Sequence, residues 1–460
     1  MIPDFNDTIA GIATAPGEAG ISIIRISGEK AISIAGQIFK SKRHHSISDI
    51  KDRTLTYGWI EIDNTSVDEV LLCIMKKPHS FTVEDVVEVH CHGGSFITNR
   101  ILNAVLNRGA RLANAGEFTQ RAFLNGRIDL TQAEATNDMI KAQSDLNLNM
   151  VVNQLKGKLY EKISTIKEEV SWILSLVNAG IDFPEEDTVF SNINQIRDRI
   201  RTIEHELKRL IHSADTGIKI REGYKIVLAG KPNVGKSKIL NGLLEESRSI
   251  VNQAPGTTRD TIEESCSIHG IPASLIDTAG IHETGDEVER EGIERAFVAI
   301  KKADLILWVI DLANPSFTIE LADIVDISNI PILLVLNKRD LVNSSSITIP
   351  DQWQNNDQIV ISALKEEDID HLRKKIFDFI SGRKGRLVEE TMLTNIRQKL
   401  SAQNALETLY KAKESLESGI GEELLAIDLT QMLSALGEIV GETTPDDMLN
   451  KIFEEFCIGK

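Results

Sequence analysis

The sequence predicts a multidomain chain: an N-terminal α+β domain, a helical domain, and an α/β domain with a doubly wound sheet inserted into the helical one. Three observations predict it. Gly230-Lys231-Pro232-Asn233-Val234-Gly235-Lys236-Ser237 has the spacing G-x-x-x-x-G-K-[ST], with the apolar, β-prone run Tyr224 to Ala229 before it and a helix start after it. That strand, loop and helix order is what a phosphate-binding loop needs. Between residues 221 and 380, apolar strands alternate with helical stretches. On either side of that span, proline-free stretches carry apolar residues at helical spacing.

Composition sets the outer limits. A chain of 460 residues exceeds what one core organises, so two to four domains are expected, and 42% hydrophobic with 26% charged residues is an ordinary globular balance. No apolar run approaches the length of a membrane span, and the acidic start Met1 to Asp7 resembles neither a signal peptide nor a transit peptide, so a cytoplasmic protein with no membrane is expected. Cys73, Cys91, Cys266 and Cys457 form no C-x-x-C pair, which argues against a disulfide framework or zinc site. His90-Cys91-His92 ends an alternating run in which neighbours point to opposite faces, a poor arrangement for metal ligands. Net charge is −18, from 51 basic and 69 acidic residues, which opposes non-specific attraction to nucleic acid and requires any RNA contact to be local or shared. The basic run Lys40 to His45 reads as a solvated loop.

Short strands are predicted at Asp7 to Thr14, Gly20 to Gly28, Tyr57 to Ile62, Glu69 to Met75 and Asp85 to Val89, with a helix from Ser95 to Asn107. The period changes near Glu117. From Thr131 to Asn178 no proline intervenes, and Leu155, Leu159, Ile163, Ile166, Val170, Ile173 and Val177 predict one long amphipathic helix ending at Gly180 and Pro184. A further helix is predicted from Ile193 to about Ile211. Strands follow at Lys225 to Gly230, Ala273 to Asp277, Leu305 to Asp311, Ile332 to Leu336 and Ile359 to Ile361, and helices return over Thr391 to Leu416 and Glu422 to Leu436.

Ligands bind at the carboxyl ends of strands in such a sheet, and several signatures fall there. Lys236 would reach the β/γ-phosphates and the Ser237 hydroxyl would hold Mg²⁺. Asp277-Thr278-Ala279-Gly280 puts a carboxylate beside the metal and a glycine amide beside the γ-phosphate. In Asn337-Lys338-Arg339-Asp340, the Asp340 carboxylate can accept from guanine N1–H and the 2-amino group, a pair adenine lacks, which selects GTP over ATP. Ser362-Ala363-Leu364 can support the base through backbone N–H, and Thr257-Thr258, in the Gly256 to Asp260 run, can supply a hydroxyl to Mg²⁺. Ras-like GTPases place a water-orienting glutamine after the D-x-x-G glycine. Here Ile281 stands there, so another acid and another cation are needed. Asp286-Glu287-Val288-Glu289 offers acids that are otherwise a solvated helix start, and Asn233 offers a side-chain carbonyl suited to a monovalent cation.

The chain resembles, along its whole length, the tRNA-uridine-modifying GTPase family called MnmE or TrmE. Beyond the GTPase motifs, the resemblance rests on Asp7 to Ala10, Ile24 to Gly28, His90-Cys91-His92-Gly93-Gly94, Gly116 to Thr119, Arg121 to Leu130, Ile181 to Glu186, Asp286 to Arg290 and the tail Phe456-Cys457-Ile458-Gly459-Lys460. It implies a tetrahydrofolate-binding and dimerisation domain over 1–118, a helical domain over 119–220 and 381–460, and a Ras-like GTPase domain over 221–380. It implies a folate site at Arg25, Glu88, Arg127 and Lys460, each of which could instead make a structural salt bridge. Cys457 could be a nucleophile or an inert buried thiol.

For the nucleotide, the resemblance implies contacts at Asn233, Val234, Gly235, Lys236, Ser237 and Lys238, along Asn252-Gln253-Ala254-Pro255-Gly256-Thr257, at Asp277, Thr278, Ala279 and Gly280, and along Asn337 to Asp340 and Ser362 to Leu364. K⁺ would be held by Asn233, Asn252, Ala254 and Thr257 in place of an arginine finger, and Mg²⁺ by Ser237 and Thr258, with Glu289 orienting the water as two GTPase domains meet face to face. Relatives often carry Thr-Asp-Ile-Ala where Asn252 to Pro255 stands, and serine where Lys238 stands. The implied activity is potassium-dependent GTP hydrolysis by a homodimer. With a flavin-dependent partner, in a heterotetramer, it would install an aminomethyl or carboxymethylaminomethyl group at C5 of the wobble uridine of tRNA, drawing on 5-formyltetrahydrofolate or a related folate. Two other classes fit the GTPase motifs: a GTP-switched ribosome-assembly or regulatory factor without tRNA chemistry, and a folate-dependent transferase with a regulatory GTPase domain.

Overall fold

The computed structural model describes residues 7–41, 46–142, 144–183, 188–248, 263–277, 299–315, 330–342, 349–350, 353–354, 356–382, 391–418, 421–456 and 459. The chain divides into two compact units, one of residues 1–140, 152–207 and 400–460, the other of 141–151 and 208–399.

The first unit opens with β1 (Ile9–Ile12), β2 (Ala19–Ser27), α1 (Ala31–Ile38), β3 (Phe39–Lys40), β4 (Thr56–Ile62), β5 (Thr65–Met75), β6 (Val86–Gly93), α2 (Ser95–Leu106) and β7 (Arg111–Leu112). The seven strands form one sheet in the order β3-β4-β5-β6-β2-β1-β7, antiparallel except for the β1–β7 pair. Strand alternation sends Ile24, Ile26, Ile60, Leu72, Ile74, Val87 and Val89 into one core with α1 and α2. Arg25, Cys73, Glu88 and His90 are placed on the other face, with Arg25, Glu88 and Cys73 in register across β2, β6 and β5 and His90 two residues on from Glu88. Helix α1 was not expected, although its buried Ala31, Ile34, Ala35 and Ile38 keep helical spacing.

Next come α3 (Glu117–Leu124), α4 (Leu130–Lys141), α5 (Asp145–Leu155) and α6 (Lys158–Asp182). The single helix expected from Thr131 to Asn178 is therefore three. Lack of proline permits a helix without enforcing one, and the chain enters α6 through Gly157 at φ +79, outside the right-handed region. Gly180 does not end α6 either. It is buried within it, where a Cβ would stand 2.4 Å from a Glu422 carboxylate oxygen. The apolar stripe read from the spacing is real: Leu159, Ile163, Ile166, Val170, Ile173 and Val177 are all buried. Helix α7 runs Thr188–Glu222, longer than expected at both ends.

The second unit carries β8 (Tyr224–Ala229), α8 (Lys236–Arg248), β9 (Glu263–Ile268), β10 (Ile271–Asp277), β11 (Leu305–Asp311), β12 (Ile332–Asn337), β13 (Asp357–Val360) and α9 (Glu366–Gly382). Its six-stranded sheet has the order β13-β12-β11-β8-β10-β9, parallel except for the β9–β10 hairpin. Both faces are covered: Ile226, Leu228 and Leu307 look toward α8 and α9, while Val227, Ala229 and Trp308 enter the opposite core. This is why its strands read as unbroken apolar runs. After α10 (Ile396–Ser418), the first unit is completed by α11 (Glu422–Val440), which packs along α6, and α12 (Asp446–Glu454), which joins Leu130 and Ala133 through Leu449 and Phe453. Among the described residues, no helix is long and apolar enough to cross a membrane.

Candidate functional site

In the second unit, the sheet order changes direction at β8, which lies between β11 and β10, and the loop after β8 runs into the N-terminus of α8. Asn233 takes φ +63, a left-handed conformation that asparagine tolerates, and Gly235 takes φ +101. A Cβ on Gly235 would sit 2.3 Å from Asn337 Nδ2, so the loop's second glycine is required by close approach. Lys236 is 4% exposed, and its Nζ donates to the carbonyls of Gly230 at 2.7 Å and Lys231 at 2.9 Å. Burial pulls its pKa below the usual lysine value against the opposing pull of Asp277. Ser237 Oγ donates to Asp277 Oδ2 at 3.1 Å, which brings the loop and the end of β10 together.

Asn337, at the end of β12, donates through Nδ2 to the Val234 carbonyl at 2.8 Å and accepts the Ala363 N–H at 2.9 Å, bracing the phosphate loop against the last loop. Ser362 Oγ donates to Asp340 Oδ1 at 2.6 Å. That bond, first among its causes, holds Asp340 below the usual carboxylate range although the side chain is exposed. The Ser362 N–H goes to Asp368 Oδ2 at 2.7 Å. The backbone donors of Ser362 and Ala363, expected to face a base, are thus engaged by the scaffold, and Leu364, 68% exposed, follows them. Lys338, at φ +64, is held by Asp311 at 2.6 Å. Asp311 and Asp368 were missed in the sequence. Asp311 had a signal, an acid closing the apolar run of β11; Asp368 had none.

In the first unit, Arg25 Nε donates to Glu88 Oε1 at 2.9 Å, and their residues pair across β2 and β6. Arg127 lies 4.8 Å above the Phe81 ring centre and donates to the Phe81 carbonyl at 2.8 Å; burial lowers its pKa. Arg25 is 5.7 Å from the same ring, so two of the four residues expected for the folate flank Phe81, and a third, Glu88, is bonded to Arg25. Nearby, fully buried Arg121 ion-pairs with Asp7, Glu84 and Glu117, a charged junction the sequence did not announce. His90 and His92 face Glu88 and Asp68, at 3.4 and 2.6 Å, while Cys91 is buried. Cys73, Cys91 and Cys266 are free thiols, and burial pushes Cys266 up to about 12.

Two family models match the sequence: one described as the MnmE helical domain over residues 130–457, and one described as the GTP-binding protein TrmE N-terminus over residues 8–127. The chain belongs to the MnmE family. The tRNA modification GTPase MnmE of Alkaliphilus metalliredigens (strain QYMF) is 43% identical over 461 residues, covering 99% of this chain and 100% of that protein. That of Clostridioides difficile (strain 630) is 43% identical over 459 residues, at 99% and 100% coverage. That of Geotalea uraniireducens (strain Rf4) is 44% identical over 460 residues, at 99% of each. Of the residues that the MnmE resemblance singled out, Asn252, Gln253, Ala254, Pro255, Gly256, Thr257, Thr258, Thr278, Ala279, Gly280, Glu289, Cys457 and Lys460 lie outside the described residues.

Proposed function

We propose that this chain is a GTP hydrolase acting in tRNA modification, that its hydrolysis depends on potassium and on face-to-face pairing of two copies, and that with a flavin-dependent partner it installs an aminomethyl or carboxymethylaminomethyl group at the wobble uridine, using a folate one-carbon unit. The observation that carries the nucleotide part is the meeting of Lys236, Ser237, Asp277, Asn337 and Asp340 at the carboxyl ends of β8, β10 and β12. What supports the tRNA part is full-length identity to relatives named for that activity.

In this reading Asp340, ionised and steadied by Ser362, accepts from guanine N1–H and the 2-amino group. Asn337 keeps the phosphate loop and base loop in one register. Lys236 turns from carbonyls to the β/γ-phosphates as the stronger acceptors. The oxygens of Ser237 and Asp277 suit Mg²⁺, which when bound supplies charge neutralisation at the phosphates. Asn233 offers its carbonyl oxygen to K⁺, which Asn252, Ala254 and Thr257 complete, and Glu289 orients the water. Glu88 suits the donor edge of a pterin, while Arg127 suits a carboxylate. A cytoplasmic location fits this work.

GTP hydrolysis measured in KCl and in NaCl tests the cation: a faster rate in KCl is expected, and equal rates overturn its role. In cells lacking the chain, wobble uridine should be hypomodified and restored by wild type but not by Asp277→Ala or Glu289→Ala. Restoration by both variants would overturn the coupling of hydrolysis to modification.

A further inference from the structure

The turn that leads into β6 holds its backbone in a costly conformation. Val83 takes φ +68, in the left-handed region that a β-branched side chain resists. Such a residue stays there only where its neighbours over-determine it, and here both do. Before it, Thr82 is fully buried; its carbonyl accepts from Asn125 Nδ2 at 2.7 Å, and its hydroxyl lies 2.6 Å from Ser27 Oγ. After it, Glu84 Oε2 accepts the Ser27 hydroxyl at 2.7 Å, and Glu84 Oε1 accepts from Arg121 Nη1 at 3.1 Å. The Ser27 hydroxyl has one proton, which goes to Glu84, so Thr82 donates to Ser27 in turn. Ser27 is fully buried and closes β2 two residues beyond Arg25, while Asn125 caps the carboxyl end of α3.

Phe81 joins this turn to the candidate folate residues. Its ring lies 4.8 Å from the Arg127 guanidinium and 5.7 Å from that of Arg25, and its carbonyl accepts from Arg127 Nη1 at 2.8 Å. Asn125 and Arg127 therefore hold successive carbonyls, those of Thr82 and Phe81. We propose that Asn125 and Ser27 are positioning residues: by fixing Thr82 and Glu84 they keep Val83 left-handed, and so place the Phe81 ring on which both guanidinium groups rest. Released, Val83 returns to negative φ and the Phe81 peptide unit turns with it. The clamp stands on the contacts just given; its effect on ligand affinity rests on the folate reading above.

The test compares full-length wild type, Asn125→Ala, Asn125→Asp and Ser27→Ala with the same three changes made in Val83→Gly, each checked for a wild-type thermal transition. Asn125→Asp keeps the shape of the side chain and removes its N–H donor. Two quantities are read: hydrogen-exchange protection of the peptide spanning residues 79–85, and affinity for 5-formyltetrahydrofolate. Each change made in wild type should lower protection and weaken binding about fivefold, the weight of one hydrogen bond. In Val83→Gly the same changes should cost much less of both, because glycine keeps a positive φ without the clamp. Unchanged protection in Asn125→Ala and Asn125→Asp overturns the clamp, as do equal losses in the two backgrounds. Weaker binding with unchanged protection would make Asn125 a direct ligand contact and also overturns it. If wild type binds no folate, the folate reading fails while protection still decides the clamp: a loss relieved by Val83→Gly upholds it, and no loss removes it.

Discussion

At the carboxyl ends of β8, β10 and β12, the candidate groups sit on the last residue of a strand or just beyond it, and Asn337 braces the loop after β8 against Ala363. In the first unit, the sheet is covered by α1 and α2 on one face, and the group joined through Arg25 and Phe81 comes from positions 25, 81, 88, 127 and 459. The first kind of site is written in short local motifs because the strand ends define it. The second is assembled by register and by a long return of the chain, so its members lack a common motif. A local site should tolerate changes elsewhere in the molecule, whereas a dispersed one should respond to whatever holds its distant pieces.

The sharpest way to break that contrast is at Arg121, which is fully buried among Asp7, Glu84 and Glu117 beside the dispersed site. Arg121→Ala strands three carboxylates and should cost about 3–5 kcal/mol of stability in urea melts of the first unit's transition. GTP affinity, a property of the other unit, should stay at the wild-type value. Lys236→Ala should lower GTP hydrolysis about a hundredfold or more in a phosphate-release assay, with no change in folate affinity. Asp340→Asn should weaken GTP about a hundredfold and improve XTP, whose C2 carbonyl suits an amide donor; nucleotide competition reads this directly.

A smaller effect is expected from pH. For Asp7 and Glu117 burial acts to raise the pKa, but the hydrogen bonds and charges of Arg111 and Arg121 outweigh it, so both lie below their ordinary values. A depressed folded-state pKa adds stability above the unfolded value, near pH 4, and loses it as pH falls through the folded one. Wild type should therefore lose stability from pH 5 downward, and Arg121→Ala should lose less over the same range. Least of all, Lys375→Ala, which removes an exposed partner of Asp357, should change stability by less than about 1 kcal/mol.

The candidate nucleotide site was legible because its motifs place particular residue types at fixed spacing: Asp277 and Asn337 close β10 and β12, Lys236 and Ser237 open α8, and Asp340 follows β12. Its supports were less so. Asp368, which holds the Ser362 N–H, is one acid in an acidic helix start and has no distinguishing neighbour. Helix boundaries failed for a similar reason. The stripe from Leu159 to Val177 predicted a buried face correctly, but the break at Gly157 and the burial of Gly180 under Glu422 depend on what packs there. Arg25 and Glu88 were singled out by resemblance alone; that they pair with each other follows from the β2–β6 register.

By itself, the sequence determined the class of most segments, the strand, loop and helix around Gly230 to Ser237, and the absence of a glutamine at Ile281, because backbone geometry and hydrogen-bonding chemistry at those points restrict the residue type locally. Only the tertiary structure decided that Arg121 is a buried hub, that Asp311 holds Lys338, and that Gly459 returns to Arg25 across 434 positions. Those choices belong to pairs of groups brought together by packing, where either partner alone is an ordinary charged residue or a glycine.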